Sequence, residues 1–398
     1  FWRTSLDLDA LVEALECIGR LSTRAASLST DNNVGKLVLA VLHVTSDHIQ
    51  SPEGLPTTIL VSLLRALARL TSGTAGSSNT SSGGGGGKGK SRGWRALPPT
   101  VQTLLLNEIV ATVLAPECEE GGGARGQVSL QDYSDVVWAL GKLRVRLHGL
   151  PRSFHDSLRS SLNRRLQSSA VACGPDSQVV GSCLTKTLQG YSEMGGSWAS
   201  LCTTATTSRS NFQRVESSNV TRADAAMVAD SIMMTCERTL PTMNERELVV
   251  LTCALGRLRA RWKSDIHSSV RTMLPQQLLR VAPAMVPAGA SQALLALGKM
   301  GVKWSTVHEP LKEALLTQLC TEPSGPPEEG IGFSSDESAR NNINNVHMDT
   351  MRGRGRGRGK GNKVGVWGLS GQTVSCALVG LARMGCVWSE LVYRRAQH

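Results

Sequence analysis

Aromatic side chains are scarce in this chain, with 4 Phe, 3 Tyr and 8 Trp among 398 residues. An interior built mainly from Leu, Ala, Val and Met suits close helix packing better than an aromatic-lined catalytic pocket. Long apolar runs are missing too. No stretch of eighteen exists, so no membrane-spanning helix is expected. There is no Cys-x-x-Cys pair among the ten cysteines. Cys17, Cys253 and Cys376 sit inside helical motifs, where a thiol serves as a small apolar residue. Free thiols in a reducing compartment are therefore expected, not a disulfide framework. Two Asn-x-Thr/Ser triplets, at Asn79 and Asn219, match the glycosylation pattern, but the cysteine usage argues against secretion.

Catalytic signatures are equally absent. His43 and His48 stand five apart, not at the i, i+4 spacing of a helical metal pair, and no His-Glu-x-x-His occurs. Ser, His and Asp appear in no recognisable nucleophile context. One segment, Gly84 to Ser91, satisfies the phosphate-loop pattern G-x-x-x-x-G-K-[ST]. A working phosphate loop joins a buried strand to a helix N-terminus. Here Thr71 to Ser82 offers no apolar strand, and Pro98 and Pro99 intervene before the next helix, so the match is compositional. These absences lead to four expectations: no enzyme, no cofactor, no small-molecule substrate and no membrane.

What the chain has is recurrence. Trp138-Ala139-Leu140-Gly141-Lys142-Leu143 returns as Cys253 to Leu258, Leu295 to Met300 and Val379 to Met384. More distant copies are Arg65 to Leu70 and Glu16 to Leu21, and Gln189 to Met194 is degenerate. Each copy places apolar or small residues at i, i+4 and i+7, as in Val136/Leu140/Leu143 and Leu251/Leu255/Leu258. Ala293/Leu297/Met300, Ala377/Leu381/Met384, Leu63/Leu67/Leu70 and Ala14/Ile18/Leu21 follow the same rule. That spacing draws one stripe on an α-helix. Gly or Ala beside the central Leu keeps the surface flat for a neighbouring helix. Second amphipathic segments follow at 34–46, 98–114, 152–167, 222–239, 264–281 and 307–320. Pro98, Pro99 and Pro151 stand where a helix start tolerates proline. Neither helix of such a pair buries its apolar face alone, so stacking is required.

The expected fold is all-α: an α-solenoid of about seven helix-turn-helix repeats, interrupted by disordered low-complexity insertions. Residues 1–70 hold repeat 1 and the first helix of repeat 2. A Ser/Gly-rich insertion fills 71–97, including five consecutive glycines from Gly83 to Gly87. Repeats 2–6 span 98–320, with Gly-rich and Ser/Thr-rich loops at 116–128 and 199–221. An acidic and then Arg-Gly insertion fills 321–370, and a partial repeat 7 covers 371–398. Such insertions bury too little apolar surface to offset their ordering entropy. Without them, most intervals between motifs come to about forty residues, a normal length for a helical-pair repeat. The chain opens on Phe1 and closes just after a first-helix motif. Both ends therefore look cut from a longer protein, and a targeting segment would lie outside this chain.

Charge supplies the functional reading. Lys and Arg number 43 against 32 Asp and Glu, a net charge of +11. This favours polyanionic partners. One position stands out: the residue before the last Leu or Met of each motif is Arg20, Arg69, Lys142, Arg257, Lys299 or Arg383, and only Glu193 breaks the rule. It lies about 100° off the apolar stripe and so projects to the flank or surface. Two readings fit it: a basic ladder tracking a phosphate backbone, or cations favoured at helix C-termini by the dipole. Arg144, Arg146, Arg259 and Arg261 follow the motifs and join the candidate set. Arg352, Arg354, Arg356 and Arg358, in an Arg-Gly tract, form a flexible cationic tether suited to RNA. Trp198, Trp262, Trp304 and Trp388 recur four residues after the motif end. Base stacking is weighed there against packing of the inter-helix turn on the next unit, and packing is preferred.

The first helices, such as Val137 to Leu143 and Ala293 to Val302, resemble the octotricopeptide and heptatricopeptide repeats, and are similar to those of the FAST-kinase-domain proteins. The resemblance implies an organellar RNA-binding α-solenoid. Its partner would be single-stranded RNA, with other RNA-processing proteins as further partners, in processing, stability or translation of transcripts in a mitochondrion or plastid. The alternative is an armadillo- or HEAT-like protein-binding scaffold, in which the basic residues solvate the surface or meet acidic peptides.

Overall fold

The computed structural model describes residues 8–24, 32–50, 55–73, 94, 97–115, 128–171, 177–202, 218–320, 371–387 and 389. Nearly all of them are helical, and no strand occurs among them. The protein is all-α. In chain order the helices are α1 (Leu8–Arg24) and α2 (Asn32–Ile49), α3 (Thr57–Gly73) and α4 (Pro99–Ile109), then α5 (Leu130–Lys142) and α6 (Arg152–Val171). There follow α7 (Ser177–Glu193), the short α8 (Trp198–Cys202) and α9 (Ser218–Thr239), then α10 (Glu245–Arg257) and α11 (Ser268–Val281). Last come α12 (Pro287–Lys299), α13 (Glu309–Cys320) and α14 (Gly371–Arg383). A π-helical turn, Val110–Leu114, extends α4. None of the described helices is long and apolar enough to cross a membrane.

The helices that carry the motif pack on one another in order: α1 on α3, α3 on α5, α5 on α7, α7 on α10, α10 on α12 and α12 on α14. The remaining helices form a second row. In it α2 meets α4, the π turn meets α6, α6 meets α9, α9 meets α11 and α11 meets α13. The apolar stripes lie between the rows. Val136, Leu140 and Leu143, Leu251, Leu255 and Leu258, and Ala293, Leu297 and Met300 are all buried. Phe154, Leu158, Leu162 and Leu166 answer them from the second row. Each such leucine contributes about 1.5–3 kcal/mol on leaving water.

Local chemistry sets the helix ends. Asn244 and Glu247 form a reciprocal capping box at the start of α10, and the Ser129 hydroxyl accepts the Asp132 N–H at 3.0 Å to start α5. The two satisfy donors that a helix N-terminus leaves open. The motif helices stop in one recurrent way. The second residue past the motif end donates its N–H back to the central Leu or Tyr carbonyl: Val145 to Leu140, Gly196 to Tyr191, Ala260 to Leu255, Val302 to Leu297 and Cys386 to Leu381, all at 3.0–3.1 Å. This is the Schellman arrangement, which places the intervening residue in the left-handed region. Gly195, Gly301 and Gly385 occupy that place with φ of 83°, 79° and 75°. In two units it is held by arginine, Arg144 and Arg259, each at φ 59°.

The small residues around the central Leu explain how closely the motif helices approach. A Cβ on Gly141 would lie 2.7 Å from the Gly190 Cα, and one on Gly256 would lie 2.9 Å from the Ala296 Cα. One on Gly298 would lie 2.7 Å from the Gly380 carbonyl oxygen. The residue after the central Leu of one helix thus meets the residue before it on the next.

A second link joins consecutive units. The carbonyl ending one motif accepts the N–H of the fourth residue past the preceding motif: Leu147 to Met194 (3.1 Å), Trp198 to Leu258 (2.6 Å), Trp262 to Met300 (2.9 Å) and Trp304 to Met384 (2.8 Å). Trp198 and Trp304 are buried and Trp262 is half-buried, so these rings act as packing anchors. Trp388 lies outside the described residues.

Several expectations need correction. The 71–97 insertion is not wholly without structure. The helix α3 continues to Gly73, and the buried Trp94 donates its N–H to the Leu143 carbonyl at 2.9 Å, taking the tryptophan place of the second unit. The Ser/Thr-rich loop placed at 199–221 begins and ends in helix, because α8 runs to Cys202 and α9 starts at Ser218. In α1 the inward residues are Leu8, Val12 and Leu15, whereas Ala14 is exposed. No earlier helix covers that side of α1 among the described residues. The insertion at 321–370, most of the 116–128 loop, and the pseudo-phosphate loop at 84–91 lie outside the described residues.

Candidate nucleic-acid interface

The recurring basic position falls at the end of each motif helix, so the stacking of α5, α7, α10, α12 and α14 brings Lys142, Glu193, Arg257, Lys299 and Arg383 into one line. Their environments differ along it. The sequence pattern places Lys142 on the flank or surface of its helix; its side chain is only 8% exposed. Its ammonium donates to Glu193 Oε1 at 3.1 Å and lies 5.8 Å from the Trp138 ring centroid. Burial outweighs the attraction of Glu193 and holds its pKa below the ordinary lysine value. Gln189 donates to the same Oε1 at 3.0 Å, and the Arg257 guanidinium approaches it to 3.7 Å. Glu193, the exception in the sequence pattern, is the shared anion of two ladder cations.

The same neutralisation continues toward the N-terminus. Arg69 pairs with Glu16 at 2.8 Å, and Arg65 lies 3.3 Å from Glu16 and 3.6 Å from Asp135. Lys186 reaches Asp135 at 3.1 Å. The side chain of Arg20 lies outside the described residues.

Past α10 the balance reverses. Among the described residues, Lys299 and Arg383 have no carboxylate partner within ion-pair distance. Burial first, and then the positive charges of Arg257 and Arg383, hold the Lys299 ammonium below its usual pKa. Cations on three consecutive helices therefore sense one another without a counter-charge between them. They line an open groove of about 1130 Å³, together with Arg259 and Arg261. Asp230 and Asp265 also border it, so five cations face two carboxylates. Both acids are occupied: Asp265 accepts the Arg261 backbone N–H at 2.8 Å, and Asp230 meets His267 at 3.2 Å. Chemically the groove is suited to a polyanion. It is open to solvent and bordered by α8, α9, α10, α12 and α14, so it is not an enclosed small-ligand cavity.

The remaining candidates divide. Arg144, Arg146, Arg259 and Arg261 are exposed. Arg144 and Arg259 present their side chains from left-handed backbone, a conformation that costs an L-residue about 1–2 kcal/mol. Arg352, Arg354, Arg356 and Arg358 lie outside the described residues. The adjacent Arg164 and Arg165 turn inward: Arg165 donates to the Val113 carbonyl at 3.0 Å, and Arg164 to that of Ala115 at 3.3 Å. They satisfy carbonyls at the end of the π turn, a role for cations at a helix C-terminus. Sequence reasoning missed Asp135, Glu16 and Glu193 as charge partners. The one available signal was Glu193, the only acid in an otherwise basic column.

Among the described residues no group of His, Cys, Asp and Glu is arranged to hold a metal ion. No protein-family model matches the chain, and no curated protein is found similar to it.

Proposed function

We propose that the protein is an RNA-binding α-solenoid whose strand lies in the groove over α10, α12 and α14. Arg257, Lys299 and Arg383 would hold successive phosphates, with Arg259 and Arg261 flanking them. The observation that carries this reading is a cation at one register position on three consecutive helices, lining a single groove, with no carboxylate beside Lys299 or Arg383 among the described residues and Arg257 only sharing Glu193 at 3.7 Å. The two-row stacking of motif helices supports the solenoid, and a groove location for the cations favours a bound strand over a merely solvated surface. The resemblance to organellar RNA-binding repeats supplies the choice of single-stranded RNA and the setting in a mitochondrion or plastid. Acting in transcript processing, stability or translation, such a protein binds its target and leaves chemistry to partner proteins.

Salt titration of a labelled single-stranded RNA tests it. Five groove contacts at about −0.7 each give a log–log slope near −3.5, or a loss of about 10² in affinity between 50 and 200 mM salt. A flat response refutes the reading. Lys299→Gln and Arg383→Gln should each weaken binding about fivefold at 100 mM salt, uniformly across sequences, since phosphate contacts carry no base information.

A further inference from the structure

The motif-helix row has two electrostatic halves. On α3, α5 and α7 the inward cations Arg65, Arg69, Lys142 and Lys186 all find a carboxylate within 4.0 Å. On α12 and α14, Lys299 and Arg383 find none among the described residues. The change occurs at one side chain. Glu193 stands on α7 between Lys142 on α5 and Arg257 on α10, at 3.1 and 3.7 Å. It is only 15% exposed and is oriented by Gln189 at 3.0 Å through the same oxygen. A phosphate can use a lysine or arginine only by displacing its existing partner, and here that partner is fixed and largely shielded from water.

We propose that Glu193 is the boundary of the polyanion track: it occupies Lys142, shares Arg257, and ends the bound strand at α10. This rests on the RNA reading and adds to it a footprint and a residue that sets it. The purely structural alternative makes Glu193 a tie between α5, α7 and α10 with no bearing on ligand length. The two differ in what removing the charge does. Under the boundary role, Glu193→Gln frees Lys142 in line with the groove and releases Arg257 from its shared carboxylate. Under the structural role it only loosens the helix contact.

The experiment uses the full chain and 5′-labelled oligouridylates of 6 to 24 nucleotides, read by fluorescence anisotropy across 50–300 mM salt. Circular dichroism confirms that each variant is folded. For the wild type, affinity should stop rising at a short oligonucleotide length. For Glu193→Gln the plateau should move to longer oligonucleotides, and the salt slope should steepen by up to about 0.7, the one contact that Lys142 adds. Affinity at 100 mM salt should rise about fivefold. A folded Glu193→Gln with the wild-type slope and plateau overturns the proposal. If that variant fails to fold, Lys142→Gln and Lys299→Gln decide it. Lys142→Gln should keep wild-type affinity while Lys299→Gln loses about fivefold, and equal losses overturn the boundary. A wild type that binds no oligouridylate at 50 mM salt overturns the RNA reading itself, and the boundary with it.

Discussion

Replacing Gly190 by alanine tests the helix stacking that brings the ladder residues into line. An ideal Cβ at this position would lie 2.6 Å from the Val137 carbonyl carbon and 2.7 Å from the Trp138 Cα, both in the backbone of α5. Contacts of that length are about 1 Å too short, and no rotamer change relieves them because neither atom belongs to a side chain. The facing residue, Gly141, would itself meet the Gly190 backbone if it carried a Cβ, so neither partner can give way. The helices must separate, which opens the interface that buries Val137, Leu140, Tyr191 and Met194. Alanine gains about 1 kcal/mol of helix propensity over glycine. Overpacking a rigid contact costs about 1–3 kcal/mol, and more where only backbone can move. A net loss of about 2 kcal/mol is expected, measured as a lowered urea midpoint by circular dichroism. Gly149→Ala is the control, because nothing lies within 4 Å of its Cβ position; it should leave the midpoint unchanged or raise it slightly. A Gly190→Ala variant as stable as Gly149→Ala refutes the close-approach argument. The same test repeats at Gly380, whose Cβ would lie 2.6 Å from the Leu294 carbonyl carbon.

Three further predictions bear on the groove and the packing. Arg259→Gly relieves a left-handed backbone conformation at φ 59° and should raise the unfolding free energy, read from urea denaturation, by up to about 1 kcal/mol. It should also weaken oligouridylate binding about fivefold at 100 mM salt; a variant that loses stability contradicts the strain assignment. Trp304→Ala removes a ring only 2% exposed and should cost about 3–5 kcal/mol without changing the salt slope, whereas a base-stacking tryptophan would lose affinity with little effect on stability. Burial pushes the Cys236 thiol up to about 12, while the unfolded thiol titrates near 8.5. The raised native value means that its contribution is intact below about pH 8.5 and declines as pH climbs toward 12, by about 1.4 kcal/mol per pH unit. Urea midpoints at pH 7, 9 and 10 should fall less steeply in Cys236→Ala than in the wild type. Equal slopes count against that burial.

The helical pairs were legible because they rest on local rules. A stripe at i, i+4 and i+7 holds whatever the helix packs against, and all six second-helix segments read from the sequence correspond to helices. The left-handed stop was less legible: glycine after Met194, Met300 and Met384 signals it, but Arg144 and Arg259 conceal it in two units. Trp94 escaped notice because an insertion separates it from its motif, although its N–H still reaches the next motif end. In α1 the expected stripe holds only in part: Ile18 packs against the core, whereas Ala14 is exposed and Leu8, Val12 and Leu15 turn inward.

The charge pattern shows most clearly what a single column of sequence cannot contain. Lys142 and Lys299 stand in the same Leu-Gly-Lys context, and by local rules they are the same residue. They differ because α7 offers Glu193 to the first, while α14 offers Arg383 to the second. The function of each cation is therefore set by a residue roughly one repeat away, at the same register, on the next helix. In a stacked array this makes electrostatics a property of adjacent columns, and a row of basic residues is a binding track only where no acid enters it. By that argument the useful sequence signal is the exception: a carboxylate in the basic column predicts one neighbour neutralised and the other shared. Glu193→Lys should restore the column, repel Lys142 and Arg257, and lower stability while it steepens the salt dependence of binding. If stability and slope change in the same favourable direction, the column argument fails.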